Sequence, residues 1–104
     1  DAELDFAAAH GLEQAIVEHL TLHPNVKHVC LFALPINRID ATGVEMFAKL
    51  ETYFKERGIV LHIGGLKLPV ERVLRKSGHL TPSPHLRMYR TDAEALSVMA
   101  ALPG

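Results

Sequence analysis

Two short, largely apolar runs, Val26 to Leu34 and Ile59 to Ile63, constrain this chain most, because each is rich in aliphatic residues and bounded by turn formers. A strand this apolar is buried on both faces, which is the pattern of a parallel sheet covered by helices. Around the two runs the apolar residues change to helical spacing. Ala8, Leu12, Ala15, Ile16 and Leu20 share one helical face. That helix ends at His23-Pro24-Asn25, since a residue before proline is pushed out of the helical region. Met46, Phe47, Leu50 and Phe54 form a second stripe that stops at Gly58. Pro69 opens a third helix, with Val70, Val73 and Leu74 inward and Gly78 as its stop. Residues 79–85, rich in Pro, Ser and His, lead to a short strand near Leu86 to Tyr89. Thr91-Asp92-Ala93-Glu94 then fits a capping box at the start of a fourth helix.

Strands alternating with helices of this length predict the α/β class, a mostly parallel central sheet flanked by about four helices and joined by right-handed crossovers. Leu4 to Phe6 reads as a strand end before the first helix. It is shorter than the usual strand of about five to six residues. The expectation is therefore that N-terminal strands are missing and that the chain is cut from something longer. At 104 residues the segment is expected to form a single domain over 1–104.

Composition narrows the partners. With 48% hydrophobic and 22% charged residues the chain falls among globular proteins rather than disordered or coiled-coil ones. A formal charge of −1 excludes a generally basic nucleic-acid binder, so no nucleic-acid partner is expected. One cysteine, Cys30, allows neither an internal disulfide nor a cysteine-ligated zinc site, and a reducing compartment is the default. No apolar run reaches the roughly 18 to 20 residues that cross a bilayer, and the N-terminus lacks the basic start of a signal peptide. The net charge hides an asymmetry. Residues 1–20 carry five acids and no Lys or Arg, whereas residues 67–90 carry six bases against Glu71.

The most informative stretch for chemistry is Ile39-Asp40-Ala41-Thr42-Gly43-Val44-Glu45, after a buried strand and opening a helix. Ligands of parallel α/β sheets collect where strands end and helix N-termini present unpaired amides. Asp40 or Thr42 can cap that helix, with Glu45 completing a capping box with Thr42. The same amides can receive a phosphate carried by Thr42. Gly64 and Gly65, at a strand-to-helix turn, and Lys67 beside them are candidate anion contacts, although the spacing is not that of a P-loop. Arg72, Arg75 and Lys76 lie on the face opposite Val70, Val73 and Leu74, either as a solvated face or as a docking patch for an acidic partner or anionic lipid. The seven histidines include His19 and His23, four apart, but no metalloprotease-like pair, and no metal site is expected. Cys30 inside an apolar strand reads as core. Nothing pairs a nucleophile with a base, so no catalytic residue is expected.

The run Val29-Cys30-Leu31-Phe32-Ala33-Leu34, then Ile39-Asp40-Ala41-Thr42-Gly43, Gly58-Ile59-Val60-Leu61, and Pro69-Val70 with Leu74 and Gly78, resembles the sulfate transporter and anti-sigma-factor antagonist (STAS) domain over roughly residues 4–96. Within that superfamily, Gly58 to His62 and Lys67-Leu68-Pro69-Val70 look most like the cytoplasmic C-terminal domain of SulP-type anion transporters. That resemblance implies a non-enzymatic regulatory domain at the cytoplasmic face of the cell membrane, with Asp40, Ala41, Thr42 and Gly43 as its regulatory loop. The implied partners are the membrane domain of the same transporter, a second copy, or an acidic cytoplasmic protein. It implies no cofactor and leaves nucleotide binding open. The alternative is a stand-alone anti-sigma-factor antagonist, in which the hydroxyl residue before the motif glycine is phosphorylated; Thr42 holds that position, with Ala41 where antagonists often have serine.

Overall fold

In the computed structural model, which describes residues 2–4, 6–81 and 83–102 and their side chains from residue 11 onward, three parallel strands lie side by side. They are β2 (His28–Phe32), β4 (Val60–Gly64) and β5 (Leu86–Tyr89), in the order β2-β4-β5. The register places Cys30 beside His62 and Phe32 beside Gly64, then His62 beside Arg87 and Gly64 beside Tyr89. A second parallel pair joins β1 (Ala2–Leu4) to β3 (Ile36–Ile39). The helices are α1 (Phe6–Leu22), α2 (Ala41–Glu56), α3 (Leu68–Lys76) and α4 (Asp92–Ala100). This is the expected α/β architecture. The expectation of strands outside this chain concerns residues the structure does not contain.

Strand pleating sorts the residues of β4 onto two faces. Leu61 and Ile63 join the core with Met46, Phe47, Leu50 and Phe54 of α2, Val70 and Leu74 of α3, and Leu20 of α1. His62 and Gly64 point to the opposite face, where α4 packs. The predicted stops at Gly58 and Gly78 hold. Both have positive φ, +67° and +81°, and the next amides reach back to Phe54 O at 2.8 Å and Leu74 O at 3.2 Å. These 6→1 bonds satisfy carbonyls that the helix end leaves free.

Three local expectations are corrected. β3 has no counterpart in the sequence reading, because its Asn37-Arg38 centre breaks the apolar pattern and its pairing is with β1. Val73, expected inward, is 39% exposed; Val70 and Leu74 suffice to bury the inner face of a nine-residue helix. Cys30, expected in the core, is half-buried on the α4 side of the sheet.

Candidate functional site

The ends of β3, β4 and β5 lead into α2, α3 and α4, and the loops that connect them carry the candidate residues. Between Ile39 and α2 the chain turns at Asp40, whose extended backbone and side chain make the cap: Asp40 Oδ1 accepts from the Gly43 amide at 2.8 Å. The Thr42–Glu45 capping box is therefore corrected. The helix begins at Ala41, so Thr42 is already its second residue and cannot cap it. Thr42 is half-buried, Ala41 exposed and Gly43 buried.

At the end of β4 the Gly65 amide donates to Tyr89 O at 3.1 Å, and Ala33 N donates to Gly64 O at 2.8 Å. A Cβ on Gly64 would meet Asp92 Oδ1 at 3.0 Å, so the start of α4 rests directly on this glycine. The Asp92 carboxylate thus occupies the Gly64–Gly65 corner, with Oδ1 buried and unpartnered. Lys67 donates from Nζ to Asn37 Oδ1, tying the turn before α3 to β3. Arg72, Arg75 and Lys76 are all exposed, and Arg75 pairs with Glu71 at 3.2 Å. Between α3 and α4 lies a cleft of about 610 Å³ lined by Leu66, Leu68, Glu71, Tyr89, Arg90 and Glu94, among others.

The structure adds one polar group that the sequence reading did not single out. His62 is fully buried. Its Nε2 lies 3.0 Å from His28 Nδ1, and its Nδ1 lies 2.8 Å from Tyr89 Oη. Burial holds the His62 imidazole below its ordinary pKa, and the neighbouring His28 and Arg87 push the same way. The signal in the sequence was a lone histidine amid Val60, Leu61 and Ile63. Its partners could not be seen there, being 34 and 27 residues away. The rings of His19 and His23 lie 4.4 Å apart on an exposed helix end, and among the described residues no group of three or more His, Cys, Asp or Glu could hold a metal. Burial first, and then the Asp92 charge, raises the Cys30 thiol pKa, which disfavours the thiolate.

A family model for the STAS domain matches residues 1–95. The chain belongs to the STAS domain family. The STAS domain is also similar in fold to the crystal structure of a proposed anti-sigma factor antagonist from Thermotoga maritima, with a TM-score of 0.74, 18% identity, and coverage of 94% of this chain and 80% of that one. An NMR structure of the protein TM1081 gives a TM-score of 0.72 at 18% identity over 98% of this chain and 78% of that one. A search of curated proteins finds no match. Among the described residues of the STAS domain no helix is long and apolar enough to cross a membrane.

The buried His62 makes the stability of the STAS domain sensitive to acid. The unfolded chain protonates this imidazole near pH 6.5, whereas the folded chain resists protonation to a lower pH. Between those two points the unfolded state binds more protons, so stability falls as pH falls, by at most about 1.4 kcal/mol per pH unit for this group. Glu51 acts in the opposite sense, because burial raises its pKa. Urea titrations of wild type and His62→Gln at pH 7.5, 6.5 and 5.5 separate the two. Wild type should lose more stability than the variant across that range; equal losses would contradict this account.

Proposed function

We propose that this STAS domain is a non-enzymatic protein-docking module of the anti-sigma-factor-antagonist kind, with the Asp40–Gly43 loop as its contact end and Thr42 as its switch. The observation that carries this reading is the division of labour at the start of α2. Asp40 caps the helix, which leaves the Thr42 hydroxyl without a capping role in the first turn. A phosphate there adds about 1.5 to 2 negative charges, which the first-turn amides favour and the adjacent Asp40 carboxylate opposes. Modification would therefore change the charge of the contact end while leaving the Phe47, Leu50 and Phe54 stripe in place. The named similarity of the T. maritima structure points the same way.

A second reading, the cytoplasmic domain of a SulP-type anion transporter, is favoured by the segments Gly58 to His62 and Lys67 to Val70. In that reading the exposed Arg72, Arg75 and Lys76 face the membrane domain, anionic lipid or an acidic protein. Gly64, Gly65 and Lys67 would contribute to an anion site only after the Asp92 carboxylate moved aside.

Substitutions at the loop test the first reading. Asp40→Ala should cost about 1 kcal/mol, the usual loss on removing an N-cap. Thr42→Ala should stay within about 0.5 kcal/mol in the same thermal melts, as expected away from the cap. Thr42→Glu should fold yet lose the protein partners that wild type and Thr42→Ala retain after cross-linking in cells. Full retention by Thr42→Glu would remove the switch. If Arg72, Arg75 and Lys76 changed to Glu instead abolish sedimentation with anionic vesicles, the second reading gains.

A further inference from the structure

The row His28–His62–Tyr89 runs beneath α4 from one surface cavity to another. His28 lies at a cavity of about 540 Å³ whose lining includes His23, Lys27, Met99 and Leu102. Tyr89 lines the cleft between α3 and α4. Fully buried between them, His62 has its two ring nitrogens committed to these two neighbours.

A neutral imidazole carries one N–H and one acceptor nitrogen. The neutral row can therefore be satisfied in two ways. In the first, the Tyr89 O–H donates inward to His62 Nδ1, and His62 Nε2–H donates to His28 Nδ1. In the second, His28 Nδ1–H donates to His62 Nε2, and His62 Nδ1–H donates to Tyr89 Oη. A phenolic O–H is a stronger donor than an imidazole N–H, which favours the first arrangement. Protonating His28 abolishes it, because His28 Nδ1 then carries hydrogen and has to face an acceptor.

We infer that this row is a proton-operated polarity switch: uptake of one solvent proton leaves His28 with hydrogen on both ring nitrogens, the His62 hydrogen on Nδ1 in place of Nε2, and the Tyr89 hydroxyl hydrogen turned away from His62, and release of that proton restores the first arrangement. The charges around the row set the pH of switching rather than its direction. Arg87 of β5 stands in register with His62, and His23 and Lys27 share the cavity at His28. Cys30 of β2 stands beside His62, and Asp92 of α4 acts on that thiol. At the Tyr89 end the cleft carries Glu71, Arg90 and Glu94.

Ring ¹⁵N NMR of the full chain between pH 8 and 5.5 tests this, since long-range correlations separate the two imidazole tautomers. His62 should be the Nε2–H tautomer at pH 8 and become Nδ1–H with the same midpoint as the His28 titration. Tyr89→Phe loses one hydrogen bond in each arrangement, the stronger one in the first, and should move that flip to higher pH. One His62 tautomer throughout, or a flip at a pH unrelated to His28, overturns the inference. A Tyr89→Phe flip at the wild-type pH overturns it too. The tautomer measurement needs only the wild-type chain, so it decides the matter even where the variant does not fold.

Discussion

Phe54→Ala should cost about 3 to 5 kcal/mol, the largest loss expected from one truncation in this domain. Phe54 is 1% exposed and belongs to the cluster that joins α2 to Leu61 and Ile63 of the sheet. Removing its ring forfeits the transfer energy of the side chain and leaves a cavity that helix and sheet, tied by Met46, Phe47 and Leu50, close only partly. Against a typical domain stability of about 5 to 15 kcal/mol, that is a large share. The loss reaches the candidate site as well, because α2 begins at the Asp40 cap, and a loosened helix no longer holds the loop from Asp40 to Gly43. Chemical denaturation monitored by circular dichroism checks the stability. Phe54→Leu, which keeps most of the volume, should cost far less; a loss under about 1 kcal/mol for Phe54→Ala would show that α2 is not anchored there.

The elements with one-dimensional signals were legible in the sequence. The apolar runs gave β2 and β4, and the stripe through Met46, Phe47, Leu50 and Phe54 gave α2 with its stop at Gly58. Less could be read where the deciding contact is long-range. β3 holds only four residues, two of them polar, and its pairing partner lies more than thirty residues away in β1. At the start of α2, Asp40 and Thr42 have interchangeable capping chemistry, and the choice turned on where the first helical residue falls. Helical spacing put Val73 inward, but spacing cannot say how wide a stripe the neighbours cover. The His28–His62–Tyr89 row assembles from three strands, so no local window contains it. The family resemblance was legible because it rests on order and spacing along most of the chain, which the match over residues 1–95 supports.

Gly64→Ala should cost about 1 to 3 kcal/mol, the usual loss on overfilling a packed position, although alanine is elsewhere the milder residue for a strand. The added methyl would lie 3.0 Å from Asp92 Oδ1 and 3.2 Å from both Asp92 Cα and Thr91 O. The first contact is with a side chain; the other two are with backbone at the start of α4. That backbone is itself held, because Thr91 Oγ1 accepts from the Glu94 amide at 3.0 Å and Ala95 behind it is fully buried. The helix end therefore has to shift by a few tenths of an ångström, carrying Glu94 and the wall of the α3–α4 cleft with it. Asp92→Ala alone should cost little, since it deletes a carboxylate oxygen that is buried without a partner. In the double variant it relieves the 3.0 Å contact but neither backbone contact, so the two changes should couple while recovering only part of the loss. A double-mutant cycle by urea denaturation measures that coupling. Strict additivity would show that the Asp92 side chain yields freely and that the backbone alone resists the methyl; a wild-type stability for Gly64→Ala would show that α4 does not rest on this glycine at all.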